Sequence, residues 1–273
     1  MKLAFALCGL VSLTVFVGVS RGDSLENSGV FERDAVAADH YEASKAGAEV
    51  LAAGGNAADA AAATMLALGV VNPASSGLGG GGFALYYDKS RGTLTFLDFR
   101  ERAPRAANPE MFDVEGSAAE GPASAPSQLG GLAAGVPGEP AGVEALVTRF
   151  GKLQLRDVVA PALRLAEEGF PVSEALARMG EYFGEQLAKD PVMSEWRLET
   201  GETLKRPALA RVLRTFAEEG AAAFYGGVIG REMVGSVQAH GGVMTLDDLY
   251  AYRVRVREPI TTEAFGLRWV TAP

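Results

Sequence analysis

Apolar positions along the chain follow two rhythms, a helical one and an alternating one, and the switches between them mark its elements. Residues 57–71 are apolar on almost every face apart from Asp59 and Thr64, which predicts a helix buried all round. Asn56 reads as its N-cap, with Asp59 at the third helical position, where a carboxylate favours the helix's positive end. Pro73 ends it and pushes Asn72 out of helical geometry. Before it, residues 44–53 predict a helix with Ala46, Val50 and Leu51 near one face and Gly54 as a left-handed C-terminal cap. The short small-residue segment 35–39 fits a strand entering the fold.

Two strands are predicted at 83–88 and 93–99, joined into a hairpin by the polar, glycine-containing turn Lys89-Ser90-Arg91-Gly92. Residues 115–135 are rich in Gly, Ala, Ser and Pro and read as a long surface loop with the character of a flap. Helical patterns resume at 141–150, 155–168, 173–188, 207–219 and 222–238, with Gly151, Gly169 and Gly220 as stops. Thr245, three residues before Asp248, caps one more turn over 245–252. β-Branched and aromatic residues at 254–256 and 261–271 look like closing strands of the same sheet system. The expectation is one α/β unit over 35–273, without internal repeats.

The first 22 residues differ from the rest. Lys2 gives a short positive start and residues 3–20 carry no charge, the pattern of a secretory signal peptide with cleavage after Ser20; an uncleaved membrane anchor is the alternative. A polar linker follows over 23–34. Export to the periplasm or outside the cell is the corresponding expectation. The single Cys8 lies inside this leader, so a mature form would have no thiol nucleophile and no cysteine metal site. A length of 273 residues with 48% hydrophobic content supports a sizeable core, and a net charge of −9 opposes nucleic acid as a partner.

Candidate chemistry is sparse. Gly79 to Gly82 would suit an anion cradle, but a helix precedes them and a strand follows, the reverse of a phosphate loop, so close backbone packing is the reading adopted. His40 and His240 are the only histidines, both beside helix ends where they cap or pack, and no Gly-x-Ser-x-Gly elbow occurs after the leader. The pairs Glu167-Glu168, Glu218-Glu219 and Asp247-Asp248 diverge by about 100° on a helix and do not converge on one atom. Arg100 stands at the end of a predicted buried strand, where a guanidinium offers a fixed fork to a carboxylate; a surface ion pair with Glu101 or Asp98 competes with that role.

Ordered blocks run through the chain: Ala38-Asp39-His40, Gly54-Gly55-Asn56-Ala57, Ser75-Ser76-Gly77-Leu78-Gly79-Gly80-Gly81-Gly82-Phe83 and Asp98-Phe99-Arg100-Glu101-Arg102-Ala103-Pro104. Gly135-Val136-Pro137-Gly138, Ala223-Phe224-Tyr225-Gly226-Gly227 and Gly241-Gly242-Val243-Met244-Thr245 follow. Together they resemble the large-subunit portion of the γ-glutamyltransferases (γ-glutamyltranspeptidases, glutathione hydrolases). The resemblance implies a four-layer αββα N-terminal-nucleophile hydrolase sandwich with only the large-subunit half present. It implies cleavage of the γ-glutamyl bond of glutathione and related compounds, with transfer to water or to amino-acid or peptide acceptors.

In that family a precursor cuts itself, and the threonine at the new N-terminus of the small subunit is both nucleophile and, through its α-amino group, base, so no cofactor or metal is needed. The arginine that binds the substrate α-carboxylate falls at Arg100. Gly79 to Gly82 fall on a structural turn. The sequence ends at Pro273, ahead of the segment in which the family carries its nucleophile; Thr261, Thr262 and Thr271 lack that motif. The expectations are no catalytic residue among these 273, no activity of the chain alone, and a small subunit as partner. The alternatives are a cephalosporin acylase-like hydrolase and a non-catalytic secreted binding module.

Overall fold

The computed structural model describes residues 34–113, 126–196 and 198–273. Their regular elements lie in one compact unit, Val36–Pro273. The leader and most of the glycine-rich loop expected at 115–135 fall outside the described residues.

Helix α2 (Ala57–Val71) forms the spine, buried on all sides as its pattern predicts. Its first turn is closed by a capping box: Asn56 Oδ1 accepts from Ala58 and Asp59 N–H, and Asp59 Oδ2 accepts from Asn56 N–H at 2.9 Å. Helix α1 (Tyr41–Ala52) lies against α2 and is capped by His40, whose Nδ1 accepts from Glu42 N–H at 3.2 Å. Gly54 follows with a φ of +95°, the left-handed cap expected. Helices α4 (Leu155–Glu168) and α7 (Pro207–Glu219) complete the layer, α4 packing on α2 and α7 on α4.

Asp59 does more than complement the helix dipole. The residue is 0% exposed, and Oδ2 also accepts from Lys152 N–H at 2.8 Å, with Leu153 N–H 3.4 Å from Oδ1. It therefore ties the start of α2 to the connection between α3 (Glu139–Phe150) and α4. These partners are 93 and 94 residues away, so no local pattern reveals them.

The hairpin forms as expected from β1 (Gly82–Asp88) and β2 (Thr93–Phe99), antiparallel in a register pairing Gly82 with Phe99. Short strands β3 (Phe170–Pro171) and β4 (Thr203–Leu204) pair with each other, and strand β5 (Arg255–Arg257) adds to the far side of β2. One face of this sheet meets the helices: Leu97 and Phe99 pack with Leu146, and the Tyr86 ring stacks on Phe150 at 4.4 Å. Gly142 allows the approach of α3, because a Cβ there would run into the Phe99 ring. On the other face Phe83, Leu85 and Tyr87 are 53%, 44% and 57% exposed.

Several expectations require correction. Residues 35–39 form no strand; they lack paired backbone groups and lead directly into α1. The helix expected at 173–188 is broken at Phe183 into α5 (Glu174–Tyr182) and α6 (Gly184–Leu187), and that at 222–238 at Gly226-Gly227 into α8 (Ala222–Tyr225) and α9 (Val228–Ala239). In the second case the paired glycines lower helix propensity where Ala223 backbone crowds Gly227. Only β5 joins the main sheet. Strands β6 (Ile260–Ala264) and β7 (Leu267–Thr271) form a separate hairpin, because Glu258-Pro259 interrupts the ladder and Phe265-Gly266, with φ of 54° and 72°, folds the next stretch onto itself. The described end of the expected loop is packed: Gly131 is buried, donates to His240 C=O at 3.0 Å and abuts Gly242.

Candidate functional site

Three chain segments meet at the end of the sheet where β2 runs out: the turn 73–81, Arg100-Glu101, and the start of α3 at Glu139. They line a cleft of about 550 Å³ together with Met65 and Leu68 of α2. Backbone hydrogen bonds lace them. Gly80 C=O accepts from both Gly138 and Glu139 N–H at 2.8 and 2.9 Å, and Gly80 N–H donates to Gly77 C=O at 2.9 Å. Arg102 and Val136 exchange two bonds at 3.1 and 2.8 Å.

Within the turn Gly81 is required by space, and Gly77, with a φ of +154°, by backbone conformation. A Cβ on Gly81 would meet Phe99 C=O and lie 2.9 Å from Glu101 N, and none of Gly79 to Gly82 has a positive φ. Gly79 faces open space in the cleft. Closely packed backbone fits the structural assignment made for this stretch.

Arg100 leaves the sheet with its backbone held on both sides. Its N–H donates to Asp98 Oδ1 at 3.2 Å, its carbonyl accepts from Tyr252 Oη at 2.9 Å, and Asp98 is itself held by Arg257 at 2.8 Å. The side chain is 56% exposed, lies 5.8 Å over the Phe83 ring and has Nη1 3.3 Å from Glu101 Oε2. That spacing gives charge pairing without hydrogen-bond geometry, and Glu101 Oε2 is buried with no hydrogen-bond partner. The surface ion pair weighed against a ligand role thus exists, but it leaves the guanidinium fork open to the cleft.

Glu139 was missed by sequence reasoning. It is 7% exposed, with Oε1 lacking a hydrogen-bond partner among the described residues. Burial pushes its pKa up to about 8, opposed by a hydrogen bond from Gly77 N–H and reinforced by the charge of Glu101. A signal was present: Pro140 at the second helical position marks α3 as starting two residues before the expected Ala141, which places Glu139 at its head.

The other residues considered stay away from the cleft. His40 caps α1, and His240 closes α9 with Nδ1 2.8 Å from Ser236 C=O. Glu167 pairs with Arg214, and Asp248 closes the capping box of α10 (Leu246–Tyr250). Arg206 donates to Gly69 and Val70 C=O, fixing the end of α2 from which the turn departs.

This assembly can be compared with known proteins. Residues 43–273 match the family model described as Gamma-glutamyltranspeptidase. The chain belongs to the gamma-glutamyltranspeptidase family. It is 39% identical over 241 residues to Glutathione hydrolase 3 of Arabidopsis thaliana, covering 86% of this chain and 37% of that protein. It is 38% identical to a Glutathione hydrolase proenzyme of Bacillus subtilis, over 87% of this chain and 41% of the relative. The chain thus spans about two-fifths of these relatives.

Among solved structures, the gamma-glutamyltranspeptidase of Helicobacter pylori superposes with a TM-score of 0.83 at 32% identity, covering 90% of this chain and 71% of that one. A cephalosporin acylase from Bacillus halodurans gives 0.74 at 34%, covering 85% and 44%. The fold is that of the N-terminal-nucleophile hydrolases of this family, as expected. The described residues supply a helical layer and a sheet of it.

Proposed function

We propose that this chain is the large-subunit portion of an enzyme that cleaves γ-glutamyl amides, glutathione among them, and passes the γ-glutamyl group to water or an amino-acid acceptor. The observation that carries the reading is the Arg100 cleft: an open guanidinium, backbone-anchored at the end of the sheet, on the face where Phe83, Leu85 and Tyr87 lie uncovered. Arg100 receives the α-carboxylate of the γ-glutamyl group in two charge-assisted hydrogen bonds and fixes one end of the substrate.

The nucleophile comes from a second portion of the protein. A threonine hydroxyl adds to the γ-carbonyl, its proton passes through the threonine's own α-amino group to the departing amine, and water or an acceptor amine then takes the acyl group. The proenzyme named among the relatives supports a processed precursor; in this reading the precursor cuts itself and its small subunit covers the open sheet face. Alone, the chain is inactive. The pattern of residues 1–22 supports export as a signal peptide, with residues 35–273 as the large-subunit domain.

A related acylase is the second reading, favoured by the likeness to the Bacillus halodurans structure. Assay of the complete processed protein separates the two. Turnover of a γ-glutamyl anilide far above a glutaryl amide supports the first reading, and the reverse order supports the acylase.

A further inference from the structure

The cleft holds a buried carboxyl group with an unsatisfied oxygen. Glu139 Oε1 is buried without a hydrogen-bond partner among the described residues, and Glu139 lines the cleft with Arg100 and Glu101, whose Oε2 is charge-paired with Arg100 Nη1 at 3.3 Å. A buried carboxylate oxygen left without a hydrogen bond is costly, and a second carboxylate at the same cleft raises that cost. A proton held on Glu139 relieves it.

We propose that Glu139 is a positioning residue for substrate capture at Arg100: its buried carboxyl is held neutral, so Glu101 alone offsets the guanidinium and the cleft presents it to an incoming carboxylate without a surplus negative charge. This inference rests on the reading that Arg100 takes the substrate carboxylate.

With the proton in place, Arg100, Glu101 and Glu139 sum to zero charge. With it lost they sum to −1, and the excess repels an anion at the cleft while drawing the guanidinium inward. The proton leaves Glu139 near the value of about 8 to which burial raises it. The two tyrosines near the head of α3 stay protonated through this range. Tyr225 of α8 is held protonated by burial, well above its ordinary value, and Tyr252 is pushed up to about 12 by burial. The sign follows: protonated Glu139 and tight binding lie below about pH 8, and binding weakens above it.

The test is KM for a γ-glutamyl anilide between about pH 6 and about pH 10 in the complete processed protein, wild type against Glu139→Gln. Wild-type KM is expected to rise about tenfold for each pH unit above about 8, and Glu139→Gln, which cannot ionise, to abolish that rise. Reading KM separately from kcat keeps the titration of the nucleophile's amino group out of the comparison. An alkaline rise that persists in Glu139→Gln overturns the proposal. Should that variant not fold, infrared spectra of wild type decide: a protonated-carboxyl band lost near pH 8 supports the inference, and its absence at neutral pH contradicts it. Arg100→Ala distinguishes the two levels, because unchanged KM there rejects the carboxylate reading itself, whatever Glu139 does.

Discussion

Two charged residues account for most of what is specific here, and the sequence exposed them unequally. Arg100 was visible because it ends a strand within the Asp98-Phe99-Arg100-Glu101 block. In the proposed role its guanidinium makes charge-assisted hydrogen bonds to the substrate carboxylate worth about 1.5–3 kcal/mol each. Arg100→Ala in the complete enzyme should therefore raise KM for γ-glutamyl substrates at least about tenfold, and Arg100→Lys should recover only part of that, since an ammonium lacks the two-pronged geometry. Steady-state kinetics decide this, with wild-type constants in the alanine variant as the contrary outcome. Asp59 reads in sequence as an ordinary first-turn carboxylate; its importance comes from Lys152 and Leu153, distant in the chain. Asp59→Ala should cost on the order of 3 kcal/mol, because buried N–H groups lose their acceptor. Urea denaturation measures it, and a loss below about 1 kcal/mol would show that the connection between α3 and α4 is held by other means.

At the scale of elements, legibility follows locality. Helix α2, the β1–β2 hairpin and the capped turn α10 were all readable, since each is specified by apolar periodicity plus a cap or turn within a few residues. The closing strands were not assignable, because whether 254–271 extends the main sheet depends on pairing with β2, more than 150 residues earlier in the chain, and on the break at Pro259. The glycine turn joins the two kinds of information. Gly81 has room for a hydrogen but not for a Cβ beside Phe99 C=O and Glu101 N, so Gly81→Val should damage folding or maturation before substrate affinity. Yield of soluble, processed protein reports this against KM of whatever matures. A variant that matured normally and lost only affinity would move the turn from scaffold to ligand contact.

Across the whole molecule the asymmetry of the sheet is the governing feature. Helices cover one face, whereas Phe83, Leu85 and Tyr87 stand open on the other, and Arg100 projects beside Phe83 at its end. Such a face is a liability for a lone chain and a ready interface for a second layer. Arg100 links the two, lining the cleft while lying 5.8 Å over the Phe83 ring, so in the proposed reading a second layer on the open face also reaches the cleft. Family membership was legible from ordered blocks of residues; the place of Glu139 in the cleft was not, since it depends on the meeting of the end of β2 and the start of α3. The most direct measurement is turnover of a chromogenic γ-glutamyl anilide by the purified chain alone and by the chain co-produced with a downstream family half, each sized by light scattering. The account predicts no turnover and a tendency to aggregate for the chain alone, with soluble heterodimer and activity appearing together. Robust turnover by the chain as a soluble monomer would contradict it.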